Sequence, residues 1–181
     1  RISRKPLRIA GLTATGAVAL AAIPLLFPHG ADAAAFTGGN LVVYRVGSGT
    51  GALTNAAAPV FLDEFTPAGA PVQSIALPTA TAGANKPLTA SGLSRSEGLI
   101  ARSADGHVVT VTGYAAAPGT TGPAGASLTA TDPATTKRVV GVVDGDGDVN
   151  TSTALTGTAP YIVRSAVSDT GDRFWIAGGD G

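Results

Sequence analysis

The stretch RSADGHVVTVTGY, residues 102–114, decides how the rest of the chain is interpreted. Its Asp105-Gly106 pair is among the strongest short signals for a hairpin turn. The valines and threonines that follow are typical of a β-strand. The stretch therefore predicts a hairpin in which residues 98–102 form one strand and residues 108–112 form the next.

A variant of this stretch recurs near the C-terminus. The same spacing separates a serine and two glycines in both copies, and the strand between the glycines is apolar in both: Ser103, Gly106 and Gly113 match Ser168, Gly171 and Gly178. The preceding hairpins also match, with Phe65, Gly69 and Leu77 corresponding to Val143, Gly147 and Leu155. The chain therefore contains two copies of a hairpin–loop–hairpin unit, at about residues 40–114 and 138–181.

Glycines, prolines and threonines divide the remainder into short apolar segments. These segments predict further strands at residues 41–46, 59–65, 72–77, 138–143, 148–155, 161–167 and 174–177. Residues 115–132 contain almost no large apolar residue and predict a surface loop. After the N-terminal segment no helix is predicted, so the expected fold class is all-β.

The repeat predicts two four-stranded antiparallel units. Neither unit could bury both of its faces alone, so the units are expected to pack against other sheets. Stacking such units radially gives a β-propeller, and two units would be blades of an incomplete one. The alternative is that they pack face to face as a β-sandwich. The chain lacks methionine and ends in the glycine-rich residues 178–181, so we expect both ends to be cut from a longer protein.

Residues 1–35 have the features of a signal peptide. A basic start is followed by an apolar run at about residues 17–27 and by alanine-rich cleavage motifs at 31–33 or 33–35. We therefore expect residues 36–181 to be secreted or on the cell surface of a bacterium, with no stable membrane span after cleavage. The removed segment carries four of the twelve basic residues and one of the twelve acidic ones. The remaining chain is acidic and has no basic stripe, so no nucleic-acid partner is expected.

Several segments together resemble a group of secreted bacterial proteins with propeller-like repeats. The segments are GNLVVYRVG (39–47), VFLDEFT (60–66), QSIALP (73–78), SEG (96–98), SADG (103–106), TGY (112–114) and FWIAGG (174–179). The resemblance covers essentially all of the chain after the signal peptide. It implies the propeller-like repeat pattern, but the family has no assigned activity, so it implies no site residues.

Three carboxylates alternate with glycines at Asp144, Asp146 and Asp148, which is how oxygen-ligand calcium sites begin. The segment departs from the EF-hand pattern, because Val149 stands where glycine is required and Leu155 where the bidentate acid should be. These aspartates are therefore a calcium candidate, and the alternative is a solvated hairpin turn. No other cofactor is expected, and the absence of cysteine excludes thiolate chemistry and disulfides.

Catalytic residue types also occur, but their spacing argues against catalysis. Ser103, Asp105 and His107 lie within one turn, whereas a triad draws its members from separate segments. The second copy has Asp172 in place of the histidine. Asp63 and Glu64 are adjacent on a strand, so they point to opposite faces and cannot act as a pair.

Two further features are expected to be structural. Glu97 is a lone carboxylate at a strand start. Phe174 and Trp175 alternate across a strand, so one is expected to enter a core and the other could stack on a sugar. The expected function is a non-enzymatic extracellular binding or scaffold module for an unknown extracellular ligand or surface component. The alternative is a fragment of a secreted propeller hydrolase whose active site lies partly outside this chain.

Overall fold

The computed structural model describes residues 33–156 and 162–179, where the chain forms antiparallel strands and two 3₁₀ turns but no α-helix. The strands are β1 (Leu41–Val46), β2 (Ala57–Phe65), β3 (Pro71–Ala76), β4 (Thr89–Ser91), β5 (Ala101–Arg102), β6 (Val108–Tyr114), β7 (Arg138–Asp144), β8 (Val149–Ala154), β9 (Ile162–Ser168) and β10 (Phe174–Gly179). The all-β prediction is confirmed. The predicted signal segment lies outside the described residues up to Asp32, as does Tyr161 at the start of the strand predicted at residues 161–167.

Most of the strands belong to one large sheet, with the order β1-β2-β4-β6-β7-β8, to which β3 is added beside β2 and β5 beside β6. Strands β9 and β10 form a separate two-stranded sheet. Strands β6 and β7, which the repeat assigns to different units, pair along their whole length from Val108↔Asp144 to Tyr114↔Arg138. Within the described residues the sheet does not close on itself, and separate propeller blades are not seen.

The β2–β3 hairpin forms where the turn signal predicts it. The amide of Thr66 donates to Ala70 O (2.9 Å), and the hydroxyl of Thr66 accepts from the Ala70 amide (3.1 Å). Gly69 lies between them with φ +84°, a conformation that glycine adopts without strain. The predicted hairpin and its register are therefore set by local chemistry.

One hydrophobic core joins two parts of the sheet. It contains buried side chains from β2 and β3 and from β4, β6 and β7, together with their neighbours: Val60, Leu62, Ile75, Leu77, Leu88, Ala90, Val111, Val139 and Val143. Burying each large aliphatic side chain contributes about 1.5–3 kcal/mol. Because these residues share one cluster, the β1–β3 part and the β6–β7 part lie against each other.

A second cluster covers the other face of β6. It consists of Ala57, Tyr114, Ala116, Leu128 and Val163, with Ile176 packed against it. Leu128 is fully buried, so the prediction of a surface loop at residues 115–132 is wrong there. The reason is long-range: the Leu128 amide donates to Asn55 O (2.9 Å), which ties this loop to the segment before β2.

The two repeated turns lie side by side. In the first, the Ser103 hydroxyl accepts from the Val108 amide (3.0 Å), and in the second the Ser168 hydroxyl accepts from the Gly171 amide (2.8 Å). The turns are joined by a backbone bond from the Ala104 amide to Ser168 O (3.0 Å). The repeat therefore marks two neighbouring turns that are each held by a serine hydroxyl, although the amide that bonds the hydroxyl differs between them.

Candidate functional site

A cavity of about 300 Å³ opens at the end of the core, between the two parts of the sheet. Its lining comes from the segment before β1, from β1 and β2, and from the turns at the ends of β6 and β7. Four of the lining residues also belong to the core or pack against it: Phe36, Val42, Val109 and Val143. The cavity therefore has an apolar floor that continues into the interior.

Glu64 lies at this cavity and is fully buried, although it is a carboxylate. Its Oε1 accepts hydrogen bonds from the Thr37 amide (2.8 Å) and from Asn40 Nδ2 (2.6 Å). Its Oε2 accepts from Gln73 Nε2 (2.7 Å). A buried charge is tolerated only when donors of this kind surround it.

The pKa of Glu64 is lowered from its ordinary value. Burial alone would raise this pKa, but the hydrogen bonds from Gln73, Asn40 and Thr37 together outweigh burial. These bonds favour the ionised form, so the side chain is a carboxylate at neutral pH. It holds the segment before β1 against β2, and this segment is one wall of the cavity.

The segment before β1 also forms hydrogen bonds on its other side. The Phe36 amide donates to Gly145 O (2.8 Å) in the turn after β7. Gln73 bonds Ala34 twice, accepting from its amide through Oε1 (3.0 Å) and donating to its carbonyl through Nε2 (2.8 Å). Residues 33–40 are thus held across the open end of the core.

The opposite rim carries two exposed basic side chains, Arg102 and His107. The Nε of Arg102 donates to Gly106 O (2.9 Å), which folds the guanidinium over the turn. This contact depends on the glycine, since a Cβ at Gly106 would lie 2.8 Å from Arg102 Nη2. The Asp105-Gly106 turn, which the sequence predicts, therefore also positions the Arg102 guanidinium at the cavity.

Ser103, Asp105 and His107 are brought together as a turn, not as a catalytic triad. The Ser103 hydroxyl donates to Asp105 Oδ1 (2.5 Å), and the backbone amide of His107 donates to the same oxygen (3.1 Å). The bond from Ser103 is the largest of the effects that lower the pKa of Asp105. In a triad the serine would face the imidazole, and here it faces the carboxylate.

The calcium candidates Asp144, Asp146 and Asp148 also form a turn. Asp144 Oδ1 accepts from the amides of Asp146 (3.0 Å) and Asp148 (2.9 Å). In the described part of the chain, no three His, Cys, Asp or Glu side chains are grouped so as to hold a metal ion. Calcium binding here stays a prediction, and Asp144 itself lines the cavity.

The other singled-out carboxylates have structural partners. Asp63 is bonded by Arg45 (Nε–Oδ2 2.5 Å) on one face of β2, and Glu64 faces the cavity on the other, as their adjacency predicts. The Tyr114 hydroxyl donates to Glu97 Oε1 (2.5 Å). Burial raises the pKa of Glu97 more than this bond lowers it.

The sequence around Arg138 gives no local signal that this side chain is buried. Its guanidinium lies 4.6 Å from the centre of the Tyr114 ring and donates to Thr131 O (2.7 Å) and Thr136 O (2.6 Å). It is fully buried. Its position beneath Tyr114 arises only when β6 pairs with β7.

Phe174 and Trp175 differ from the expectation, because neither side chain is fully buried in a core. Trp175 is 59% exposed, and Phe174 is half-buried. Ile176, two residues beyond Phe174, is the side chain of β10 that packs against the second cluster. The sugar-stacking role of Trp175 stays a prediction.

Comparisons of this chain with family models, with curated proteins and with solved structures found no match.

Proposed function

We propose that the protein is a secreted or cell-surface bacterial binding module, non-enzymatic, which takes a small extracellular ligand in the cavity at the end of the core. The observation that carries this proposal is the apolar floor left open to solvent between residues 36–40 and the turns of β6 and β7. Ligand sites are typically concave, mostly apolar and edged by a few polar groups.

The polar groups around the cavity support binding rather than turnover. Glu64 is held by three donors, and the Ser103 hydroxyl is committed to the turn. General base catalysis needs a group within hydrogen-bond reach of the proton that it removes. Among the described residues, the bonds of both side chains serve to hold the surrounding backbone and side chains in place.

Nuclear magnetic resonance of the ¹⁵N-labelled protein with a library of small neutral, anionic, cationic and zwitterionic compounds tests this function. We expect binders to shift the amide signals of Val109, Gly145 and Thr37, and to be recovered unchanged. Recovery of a converted compound would favour the hydrolase alternative. If no compound shifts these signals, the proposal is wrong.

A cavity-filling variant sharpens the test. Gly145 lines the cavity, and a Cβ built there meets nothing nearer than His107 O at 4.0 Å. Gly145→Phe should therefore fold and block every binder. Gly179→Phe is the matched control, because Gly179 has similar free space (nearest atom 3.8 Å) but does not line the cavity.

The propeller arrangement belongs to the same proposal. It is supported by the repeated Ser-x-x-Gly turn, whose two copies stack on each other at Ala104 and Ser168. The test is the reading frame that encodes the chain. Further copies of this turn and its following strand outside residues 1–181 would support a ring of repeats, and a frame without any would contradict it.

A further inference from the structure

An arginine and a histidine stand beside the apolar floor of the cavity, on the same face of the sheet. Arg102 of β5 pairs with Val109 of β6, so these two side chains are neighbours on one face. Val143 lies opposite Val109 in the β6–β7 register and shares that face. His107 comes two residues before Val109 and lines the same cavity. The two basic groups therefore border the valines of the floor.

The guanidinium of Arg102 keeps donors for a ligand. Its Nε donates to Gly106 O (2.9 Å), which holds the group over the turn, and among the described residues its Nη atoms form no hydrogen bond. In the described part of the chain neither Arg102 nor His107 takes part in an ion pair. A guanidinium with free Nη groups can donate two parallel hydrogen bonds to a carboxylate.

The carboxylates around the cavity do not compete for these basic groups. Asp144 pairs with Val108 in the β6–β7 register, so its side chain points to the face opposite the floor. Asp105 is exposed and accepts from the Ser103 hydroxyl within its own turn. Glu64 lines the cavity as an ion that is held by its own three donors. Its charge would repel a dianion more than a monoanion, which favours a carboxylate over a phosphate ester.

The floor specifies the rest of the ligand. Phe36, Val42, Val109 and Val143 all line the cavity and also belong to the core or pack against it. An apolar group placed on them is removed from water, which favours binding. The volume of about 300 Å³ is at the small end of the range for ligand sites, so the apolar group must be short.

We propose that this cavity binds a small monocarboxylate with a short apolar tail, such as a branched aliphatic acid. The carboxylate contacts the Nη groups of Arg102, and the His107 ring is available as a second donor. The tail rests on Val109 and Val143. This inference rests on the proposed binding function and adds the class of ligand.

Three probes separate the two contacts. 4-Methylpentanoate carries both the charge and the tail, 4-methylpentanamide keeps the tail without the charge, and acetate keeps the charge without the tail. Binding is measured from the shifts of the Val109 and Gly145 amide signals of the ¹⁵N-labelled protein. We expect 4-methylpentanoate to bind at least about tenfold more tightly than either of the others, since a hydrogen bond to a charged group and the burial of several methylene groups are each typically worth such a factor.

Variants of Arg102 test the charge contact. Arg102→Met keeps the aliphatic stem and should reduce 4-methylpentanoate binding to the level of the amide or below, while unchanged binding of the amide shows that the cavity is intact. Arg102→Lys keeps the charge but not the two parallel donors, so its affinity for 4-methylpentanoate should lie between those of the parent and the methionine variant. Arg164→Gln, at an exposed arginine that does not line the cavity, is the control and should bind like the parent.

The outcomes separate this inference from the function on which it rests. If the amide or acetate binds in the cavity as tightly as 4-methylpentanoate, or if Arg102→Met leaves 4-methylpentanoate binding unchanged, the carboxylate inference is overturned and the binding function stands. If compounds of another class shift the cavity signals and 4-methylpentanoate does not, the result is the same. If no compound does, both are overturned.

Discussion

At the scale of single residues, Glu64 shows that a buried carboxylate at a cavity can have a structural role, because its hydrogen bonds hold the segment before β1 against β2. Its oxygens accept hydrogen bonds from Thr37 and Asn40 in the segment before β1 and from Gln73 in β3. Its adjacency to Asp63 correctly predicts that the two face opposite ways. Its burial could not be predicted, because it depends on a segment before β1 that has no strand signal of its own.

Glu64→Gln should lower the free energy of unfolding at neutral pH by about 1.5–3 kcal/mol, because an amide cannot accept from all three donors. The pH dependence should change as well. Since the folded pKa is lowered, the stabilisation is fully present above the unfolded value of about 4.3 and is lost as pH falls through the folded pKa. Urea denaturation at pH 7 and pH 3 measures both effects. An equal loss of stability on acidification in the variant and the parent would contradict this role.

Glu97 should behave in the opposite sense, because burial raises its pKa. Its contribution is fully present below the unfolded value of about 4.3 and is lost as pH rises through the folded pKa. Glu97→Gln retains an acceptor for the Tyr114 hydroxyl and removes the buried charge, so its stability at pH 7 should equal or exceed that of the parent. Denaturation curves between pH 4 and 8 test this.

The alanine substitution at the same position provides the contrast. Glu97→Ala leaves the Tyr114 hydroxyl without its acceptor, which should cost about 1–3 kcal/mol. If the glutamine variant were destabilised as much as the alanine variant, the charge itself would be stabilising and the direction of the pKa change would be wrong.

At the scale of elements, β6 is the strand on which both clusters are built, and its glycine is as important as its valines. Gly113 follows Val109 and Val111 on the core face, where Leu88 packs closely. A Cβ at Gly113 would lie 2.6 Å from both Leu88 Cδ2 and Thr89 O. Since Thr89 O is a backbone atom, relief requires movement of β4 itself.

Gly113→Ala should therefore destabilise the fold by about 1–3 kcal/mol, as overpacking does. Gly145→Ala is the matched substitution, because its Cβ would meet nothing nearer than 4.0 Å and its φ is not positive. There the loss of backbone freedom in the unfolded chain should stabilise by up to about 1 kcal/mol. Melting temperatures of the two variants should move in opposite directions, and a shift of both in the same direction would contradict the packing at Leu88.

At the scale of the whole molecule, the features that could be predicted from the sequence are those that depend on interactions between neighbouring residues. The Asp105-Gly106 and Thr66-to-Gly69 turns lie where their signals place them, as do most of the strands beside them. The strand predicted over residues 98–102 is shorter than expected and spans only Ala101–Arg102. The pairing of β2 with β4, the burial of Leu128 and the cavity depend on contacts between distant segments, which no local signal encodes. The repeat at Ser103 and Ser168 predicts equivalent turns, but not that they would stack on one another.

The β9–β10 sheet is the part of the molecule that should open first. It joins the large sheet through the stacked turns, through the Leu99↔Ser165 bridge and through one buried side-chain bond, in which the Thr110 hydroxyl donates to Ala166 O (2.6 Å). Val163 and Ile176 add contacts with the second cluster. Strands β6 and β7 are paired on both sides, and β6 lies between the two clusters. In hydrogen exchange, the amides of β10 should therefore exchange well before those of β6.

Two threonines on the same face of β6 test this attachment. Thr110→Val removes the bond to Ala166 O and should accelerate exchange in β9 and β10, at a cost of about 0.5–1.5 kcal/mol, while leaving β1–β3 unchanged. Thr112 is the matched control, because its Oγ1 is buried and has no hydrogen-bond partner among the described residues. Thr112→Val relieves an unsatisfied hydroxyl and should be neutral or stabilising. Were both valines to destabilise equally, the cost would come from the change of shape on this face, and the bond from Thr110 would not be what fastens the β9–β10 sheet to the rest.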